Sequence, residues 1–290
     1  MTGTGTQADP YMVSTMGEFL TAVGTAESYV KLANDIDVST DETYKNGVNS
    51  TINVYSVDID GGGHTISGLI VKSAVAWDFT RAALVRDLTI KNMMHNCTGS
   101  GKLINCVAAS GNYASFQNVV ISVRMNCNNV SFAQFCKNGH WNNCAITFMP
   151  INSKVPTNNA DSLFVFDFTK ATECAIRYDC DKLHFGNYGG FRIVSNAEKS
   201  YIFGKIKSLQ TKYASPLFMA CSGCASYLEI VGTNSASTAA LTTNSDAGTN
   251  IIVTDTSTGV DFGSIPSTSK CLTSTQAKNE DYLNSIGFLP

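Results

Sequence analysis

The stretch FQNVVISVRMNCNNVSFAQFCKNGHWNNCAI, residues 116–146, contains one pattern twice. FQNVVI ends at Ile121 and WNNCAI ends at Ile146, and in both segments a polar pair precedes alternating apolar positions. This alternation is typical of a strand with one buried face. Between the two copies lie a second apolar run, FAQFC, and a turn-forming segment, KNGHWNN. Each unit of the pattern therefore holds at least two short strands and a turn.

The same unit recurs along most of the chain. Segments of this type end at Ile90, Ile121, Ile146, Ile176, Ile202, Ile230 and Val253. Whole units that repeat at a similar spacing predict a β-solenoid, in which each turn covers the apolar edge of the turn before it. A β-sandwich also has regularly spaced strands, but it does not require similar residues at equivalent places. In the solenoid, Cys144 and Cys174 are equivalent and stack on neighbouring turns.

Helical patterns lie at both ends of the repeats, where a solenoid must cover its exposed strand edges. Thr15 and Glu18 form a capping box ahead of an apolar helical pattern. Near the other end, Ser274 or Thr275 is the expected N-cap of a second helix that stops at Gly287. The sequence therefore predicts a solenoid of strands with a short helix at each end.

Composition restricts the classes of partner. Charged residues make up 15% of the chain, below the roughly 25% usual for soluble proteins. The net charge is −3 and no run of five or more like charges occurs, so we expect no nucleic-acid partner. The N-terminus has neither a basic segment nor an apolar segment, so we expect no signal peptide and no membrane insertion. The ten cysteines are then expected to be reduced and mostly buried.

The stretch VYSVDIDGGGHTISGLIV, residues 54–71, has the composition of a binding loop but fits a structural corner better. Ile59 and Ile66 continue an apolar alternation on either side of glycines that tolerate positive φ. No Gly-Lys-Ser/Thr follows the glycines, and GxGxxG is not matched. We therefore interpret this stretch as a turn between two strands.

Three aspartate pairs are candidates for glycoside hydrolysis, which needs two carboxylates roughly 5–10 Å apart. Side chains two residues apart on a strand share a face at about 6–7 Å. The pairs are Asp35 with Asp37, Asp58 with Asp60, and Asp179 with Asp181. Each pair also fits an ordinary solvated or turn-capping role, so both interpretations stay open.

The segment DCDKLHFGNYGGF, residues 179–191, combines carboxylates, an imidazole and aromatic rings near two glycines. Its catalytic candidates are Asp179, Asp181 and His184, and its ligand-binding candidates are Phe185, Tyr188 and Phe191. Sugars are commonly held by ring stacking together with planar polar groups. Core aromatic residues beside a turn explain the same segment. The remaining histidines, His64, His95 and His140, lie in turn-like contexts and are expected to be solvated.

No metal or cofactor site is expected. Only CSGC, from Cys221 to Cys224, has the spacing of a metal-ligand pair, and zinc sites need two such pairs. No G-x-S-x-G motif occurs, so nucleophilic catalysis has no support in the sequence.

Four motifs together resemble a known group of proteins. They are the opening GTGTQADPYMVSTMGEFLTAVG, the turn IDGGGHTISGLIV, the following VRDLTIKN and the closing YLNSIGF. They are similar to the right-handed parallel β-helix proteins of bacteriophage virions, which share the pectate-lyase-like architecture. The resemblance implies an all-β, single-stranded right-handed parallel β-helix with short capping α-helices at the N- and C-terminal ends. We expect one domain, 1–290, with an N-terminal cap at 1–40, coils at 41–270 and a helical cap at 271–290.

The resemblance also implies a function. Such proteins serve as tail spikes, head fibres and other appendages, are often trimeric, and in some cases degrade host polysaccharide. This chain lacks the Asn-Thr-Asp, Asp-Asp, His-Gly and Arg-x-Lys elements of polygalacturonases. We therefore expect a non-enzymatic virion surface protein that contacts capsid, portal, collar or tail proteins and adheres to host-surface glycans. The alternatives are a capsule or cell-wall depolymerase and a purely architectural decoration protein.

Overall fold

The structure is a computed structural model of the 290-residue chain. It describes residues 1–79, 81–97, 101–106, 113–126, 134–151, 166–180, 183–185, 191–198, 200–206, 209–211, 218–219, 224–230, 249–253, 270–277, 279 and 281–282. Beyond residue 180, side chains are described only at positions 200, 202–205, 273, 275–276, 279 and 281–282, and elsewhere in that part the backbone alone is described.

The chain is built from short strands. In its first part the elements are β1 (Tyr11–Val13), α1 (Met16–Val23), β2 (Tyr29–Leu32), β3 (Ile36–Asp37), a 3-10 helix (Val38–Thr40), β4 (Ile52–Val54), β5 (Asp58–Asp60), β6 (Thr65–Ser67), β7 (Ile70–Val71), β8 (Val75–Phe79), β9 (Leu84–Arg86), β10 (Thr89–Asn96), β11 (Lys102–Asn105), β12 (Ser115–Gln117) and β13 (Val120–Asn126). The elements that follow are β14 (Gln134–Lys137), β15 (His140–Asn142), β16 (Ala145–Ile151), β17 (Phe166–Thr172), β18 (Ala175–Cys180), β19 (Leu183–Phe185), β20 (Phe191–Glu198), β21 (Ser200–Ile206), β22 (Leu209–Thr211), β23 (Phe218–Met219), β24 (Cys224–Ile230), β25 (Thr249–Val253), β26 (Lys270–Leu272) and α2 (Ser274–Ala277).

Most of these strands stack in three parallel columns. β19 and β22 pair with each other in a separate two-stranded sheet, and β20 pairs with β17 and with β23. The first column is β1, β2, β5, β9, β12, β15 and the second half of β17, and the second column is β4, β8, β11, β14 and the first half of β17. The third column contains β3, β6, β10, β13, β16, β18, β21, β24, β25 and β26. Successive turns visit the second, first and third columns in that order, as in β8, β9 and β10. The predicted β-solenoid of parallel strands is confirmed.

An isoleucine ladder forms the centre of the third column. The register aligns Ile36, Ile66, Ile90, Ile121, Ile146, Ile176 and Ile202. None of these side chains is more than 6% exposed. Burying each one contributes roughly 1.5–3 kcal/mol, so the ladder is a large part of what holds the turns together.

The sequence-based alignment of the last two units is wrong. Ile202 pairs with Ser226, whereas Ile230 pairs with Ile206 and Val253 with Glu229. The offset at Ile230 is four residues. Side chains alternate with a period of two along a strand, so a shift by four leaves an apolar residue at an apolar position. Alternation alone therefore could not distinguish the two registers at Ile230. At Val253 the offset is one residue, and the even-shift argument does not apply there.

The predicted stacking of Cys144 and Cys174 is confirmed. The adjacent Ala145 and Ala175 are paired, and the Ala175 N–H donates to the Cys144 carbonyl oxygen at 2.9 Å. A hydrogen bond with the Cys174 thiol, together with burial, raises the pKa of the Cys144 thiol. The described cysteines that are buried and form no disulfide are Cys97, Cys106, Cys136, Cys144, Cys174 and Cys180. They pack as small apolar groups, as the composition predicted.

A side-chain ladder forms the corner between the first and third columns. Asp87, Asn118, Asn143 and Glu173 occupy equivalent places, with φ of 50°, 54°, 48° and 54°. The Asn118 amide donates to Asp87 Oδ1 at 2.9 Å, and the Asn143 amide donates to Asn118 Oδ1 at 2.8 Å. One residue in the left-handed region turns the chain sharply at each level, and Asn and Asp tolerate this conformation better than most residues do.

Substitutions at Asn118 can separate the contribution of its side-chain hydrogen bonds from that of its left-handed backbone conformation. We expect Asn118→Ala to lower the free energy of unfolding by about 2–3 kcal/mol, because it removes two side-chain hydrogen bonds and strains the backbone. Asn118→Gly removes the same bonds without the strain, so it should retain about 1 kcal/mol more stability. Urea denaturation of both variants measures the difference. Equal losses would contradict a role for positive φ at this corner.

The N-terminal end carries the expected helix, α1, whereas at the other end α2 is a single turn of four residues, Ser274–Ala277. Thr15 Oγ1 accepts from the Glu18 N–H at 3.3 Å, while Glu18 Oε2 accepts from Ser14 rather than Thr15. At the other end, Thr273 is the N-cap: its Oγ1 accepts from the Gln276 N–H at 3.3 Å. The cap thus lies one residue before the predicted Ser274, and Gly287 lies outside the described residues. Of the helices that the structure describes, none has the length and apolar character needed to span a membrane.

Candidate functional site

We call the outward surfaces of the first, second and third columns the first, second and third faces. Inward positions are almost entirely apolar in the described part of the chain. Groups that could bind a partner therefore lie on the faces and at the corners between them. Each face presents rows of side chains, because parallel pairing in register places one residue per turn along the solenoid axis.

Asp58 and Asp60 lie on the first face, on either side of the buried Ile59. The register places Arg86 beside Asp60 on the next strand. Arg86 Nε is 3.3 Å from Asp58 Oδ1, and Arg86 Nη2 is 3.0 Å from Asp60 Oδ2. Lys31 Nζ lies 3.8 Å from Asp60 Oδ2. The guanidinium thus bridges the two carboxylates. In a hydrolytic pair, the space between the carboxylates must instead admit water and a sugar.

The two carboxylates differ in environment. Asp60 Oδ1 also accepts from the Gly62 N–H at 2.8 Å. Burial raises the pKa of the Asp58 carboxyl above its ordinary value, while Arg86 opposes this rise. A carboxyl of raised pKa within a carboxylate pair can act as a general acid. The same contacts are equally those of a structural ion pair, so the catalytic role of this pair stays a prediction.

The raised pKa of Asp58 predicts a pH effect on stability. The folded state holds the Asp58 proton more tightly than the unfolded chain, so ionisation of Asp58 lowers the free energy of unfolding as pH rises through the folded pKa. The contribution is fully present only below the unfolded pKa of about 3.9. Asp58→Asn should therefore become more stable relative to wild type between pH 4 and pH 7, by less than about 1 kcal/mol because solvent screens the pair. Thermal unfolding at both pH values measures this, and a constant difference would contradict it.

The pair Asp35 and Asp37 does not form a joint site. Asp35 Oδ1 accepts from the Thr65 N–H at 2.9 Å and lies 3.2 Å from His64 Nδ1, and both contacts hold the pKa of Asp35 below its usual value. Asp37 instead caps the 3-10 helix by accepting from the Ser39 N–H at 3.0 Å. The two carboxylates serve different turns, which accords with the turn-capping interpretation.

The candidate segment 179–191 is only partly described by the structure. Asp179 accepts from Arg177 Nε at 2.6 Å and from the Lys205 N–H at 3.0 Å. Asp181 and Tyr188 lie outside the described residues, as does Cys221. For His184 and Phe185 on β19, and for Phe191 on β20, the backbone alone is described. The proposed roles of these residues therefore stay predictions.

The expectation that His95 is solvated is wrong. His95 is fully buried in β10, where Nε2 lies 2.9 Å from the Ser73 carbonyl oxygen. The reason is a break in register between Ile90 and Met93, with Asn92 at a φ of 52°. This bulge shifts the alternation so that His95 points inward. His140, by contrast, is exposed on the first face, as expected.

The second face carries a polar row that sequence patterns did not single out. The register aligns Asn53, Asp78, Asn105, Lys137 and Asp167 on five successive strands. The Asn105 amide donates to Asp78 Oδ1 at 2.8 Å. Most of the row is half-buried, and Asp167 is only 4% exposed. Half-buried charges in a row are held in place by their surroundings, which favours a preorganised binding surface.

Lys102 completes this surface. Its Nζ lies 3.4 Å from Asn105 Oδ1, so the ammonium reaches the row from one strand end. Burial lowers the pKa of Lys102 and the nearby Lys137 lowers it further, whereas Asp78 and Asp167 raise it. The charged groups of the second face thus act on one another. The register also places Arg192 on the strand next to Asp167.

The proximity of the second-face residues could not be found without the register. Each occurs in a largely apolar run: Asp78 in VAWDF, Lys102 and Asn105 in KLINC, and Lys137 in QFCK. A polar residue within an apolar strand run is the one local hint. Their proximity follows only when the turns are stacked.

The described residues contain no group of three or more histidine, cysteine or acidic side chains that could hold a metal ion. The second face instead offers amide, ammonium and carboxylate groups along one line. Such groups are suited to hydroxyl-rich or charged ligands.

Comparison with known proteins adds one finding. Residues 11–135 match the family described as "Putative pectate lyase-like adhesive domain". The chain is a β-solenoid similar to pectate lyase-like adhesive domains. The matched stretch includes Asp78, Lys102 and Asn105 and ends inside β14, just before Lys137. The match indicates adhesion or another role at surface polysaccharide. Searches of curated proteins and of solved structures gave no match.

Proposed function

We propose that the protein is a surface adhesin of a bacteriophage particle, and that it binds host-cell polysaccharide along its second face. The observation that carries the proposal is the half-buried polar row of Asp78, Asn105 and Lys137, reached by the Lys102 ammonium. The row lies on a rigid stack of strands. A rigid surface loses little conformational entropy when a sugar chain binds along it.

The virion setting is supported by the motifs of the opening, the glycine turn and the closing segment, which resemble phage β-helix proteins. In this setting the protein is mounted on capsid, portal, collar or tail proteins, and assembly as a trimer accords with the same resemblance. Many copies on one particle convert weak sugar binding into strong attachment, because each further contact is effectively intramolecular.

Cell binding tests the proposal directly. Purified protein, labelled with a fluorophore, is incubated with cells of the host bacterium and with isogenic cells that lack surface polysaccharide. We expect binding to the first and about tenfold less to the second, and soluble polysaccharide should compete with it. Equal binding to both cell types would overturn the proposal.

A polysaccharide depolymerase is the second candidate function, favoured by the raised pKa of Asp58 beside Asp60. In that case, incubation with host polysaccharide releases reducing ends or unsaturated products. Release should then be abolished by the double variant Asp58→Asn with Asp60→Asn. If the other pair is catalytic, release should be abolished by Asp179→Asn together with Asp181→Asn. Binding without any product release would exclude this candidate and leave adhesion.

A further inference from the structure

Two cysteines are neighbours on successive turns, just after the corner between the first and third columns. Ala145 and Ala175 are paired in register, so the preceding residues, Cys144 and Cys174, lie about 4.8 Å apart along the solenoid axis. This spacing falls within the range of about 4.4–6.8 Å that separates the Cα atoms of a disulfide. Both side chains are at most 2% exposed. The backbone therefore places the two sulfur atoms where a bond can join them with little movement.

The two thiols differ in acidity. A hydrogen bond from the Cys144 thiol lowers the pKa of the Cys174 thiol, and nearby backbone groups and the Ser200 hydroxyl lower it further, against the effect of burial. The same hydrogen bond, together with burial, raises the pKa of Cys144. Cys174 therefore ionises first, while Cys144 keeps its proton. The thiolate is the nucleophilic form of cysteine, so Cys174 is the sulfur that reacts first with an oxidant.

The residues on either side of the pair restrict what it can react with. The register places Val119 on the turn before Cys144 and Ser200 on the turn after Cys174. The Ser200 hydroxyl oxygen accepts from the Cys174 N–H at 3.1 Å. Neither neighbour can form a disulfide, and both are buried, at 1% and 2% exposure. Hydrogen peroxide is small and uncharged, so it can reach these sulfurs where a bulky oxidant cannot.

We propose that Cys144 and Cys174 form a peroxide-sensitive pair that closes into a disulfide between neighbouring turns. The Cys174 thiolate attacks the O–O bond of hydrogen peroxide, becomes a sulfenic acid and releases hydroxide, which takes the proton of Cys144. The Cys144 thiolate then attacks the Cys174 sulfur and displaces hydroxide. The proton that Cys174 lost on ionisation neutralises this hydroxide. The two sulfurs together lose two electrons, and the peroxide is reduced to two molecules of water.

Closing the disulfide stabilises the solenoid. The bond joins the start of β18 to the start of β16 and closes a loop of about 30 residues. It restricts the unfolded chain, so we expect the ratio of unfolded to folded protein to fall by about 100-fold. Because the bond is buried, a large reductant reaches it only when the turns open, and the closed form therefore persists.

Peptide mapping of the whole protein tests the proposal. The purified chain is treated with stoichiometric hydrogen peroxide and then unfolded in the presence of iodoacetamide, and disulfide-linked peptides are identified by mass spectrometry. We expect a link between Cys144 and Cys174. A bulky aromatic disulfide reagent should produce this link at least about tenfold more slowly. Full alkylation of both cysteines after peroxide, or a link from either to another cysteine, would overturn the proposal.

Serine variants test the order of the reaction. In Cys144→Ser the second step is blocked, so unfolding in the presence of dimedone after peroxide treatment should trap a sulfenic acid at Cys174. In Cys174→Ser no sulfenic acid should form at Cys144. The reverse pattern would overturn the assignment of Cys174 as the attacking sulfur. Circular dichroism shows whether each variant keeps the fold.

A second thiol pair supplies the matched control. The sulfur atoms of Cys106 and Cys136 lie 3.8 Å apart, but Cys136 pairs with Ile104, so the two cysteines are offset by two residues. This offset separates their Cα atoms by about 8 Å, beyond the disulfide range. Cys136→Ser should leave the closure of Cys144 with Cys174 unchanged, and loss of that link in a folded Cys136→Ser variant would overturn the proposal. Polysaccharide binding is a separate readout, because the pair faces inward.

Discussion

Replacing Ile146 by aspartate is expected to prevent folding of the solenoid. Ile146 is 2% exposed and is paired with Ile121 on one side and Ile176 on the other. The substitution removes the apolar contacts of a ladder position and places a carboxylate with no partner in the core. We expect a loss of more than about 5 kcal/mol, which exceeds the stability of many domains. Soluble yield and far-ultraviolet circular dichroism measure the outcome.

The adjacent residue supplies the control for this prediction. Thr147 follows Ile146 on β16 and faces outward, with Arg177 paired to it on the next strand. Thr147→Asp should change the free energy of unfolding by no more than about 0.5 kcal/mol, because the new carboxylate is solvated and near a guanidinium. Similar losses in the two variants would contradict the assignment of inward and outward positions.

The largest expected functional effect belongs to the second face. We expect the double variant Asn105→Ala with Lys137→Ala to lower the affinity for host polysaccharide by about 10–100-fold, since a hydrogen bond to a charged group contributes about 1.5–3 kcal/mol. Binding is measured by titration with extracted polysaccharide. Circular dichroism of the variant shows whether the fold is retained.

A double variant on another face is the control for that result. Lys91→Ala with Arg124→Ala removes two exposed cations from the third face and should change the affinity less than about twofold if the second face is the binding surface. An equal loss in both double variants would point to non-specific charge attraction, and so against a defined second-face site.

The sequence predicted the stacking well because stacking depends on a local, repeated signal. Ile90, Ile121, Ile146, Ile176 and Ile202 each end a segment of the same shape, and they pair in the structure as expected. The signal failed at Ile230, because any shift by an even number of residues preserves the alternation. It also failed at His95, because a bulge changes which residues of the strand point inward, and no sequence pattern indicates the bulge.

The polar row of the second face could not be predicted from the sequence, for a different reason. Asp78, Asn105 and Lys137 belong to three separate turns and share no motif, so their alignment depends on the exact register between strands. The aspartate pairs were easier to find, because two carboxylates on one strand are near each other in the sequence. What the sequence could not reveal was Arg86, which comes from the next turn and bridges Asp58 and Asp60.

Lysine footprinting tests the central claim, that polysaccharide lies along the second face, most directly. The protein is acetylated with and without saturating host polysaccharide, and the modification of each lysine is measured by mass spectrometry. The account predicts that Lys102 and Lys137 are protected when polysaccharide is bound, while Lys91 and Lys170 react as before. Protection of Lys91 or Lys170, with Lys102 and Lys137 unchanged, would contradict it.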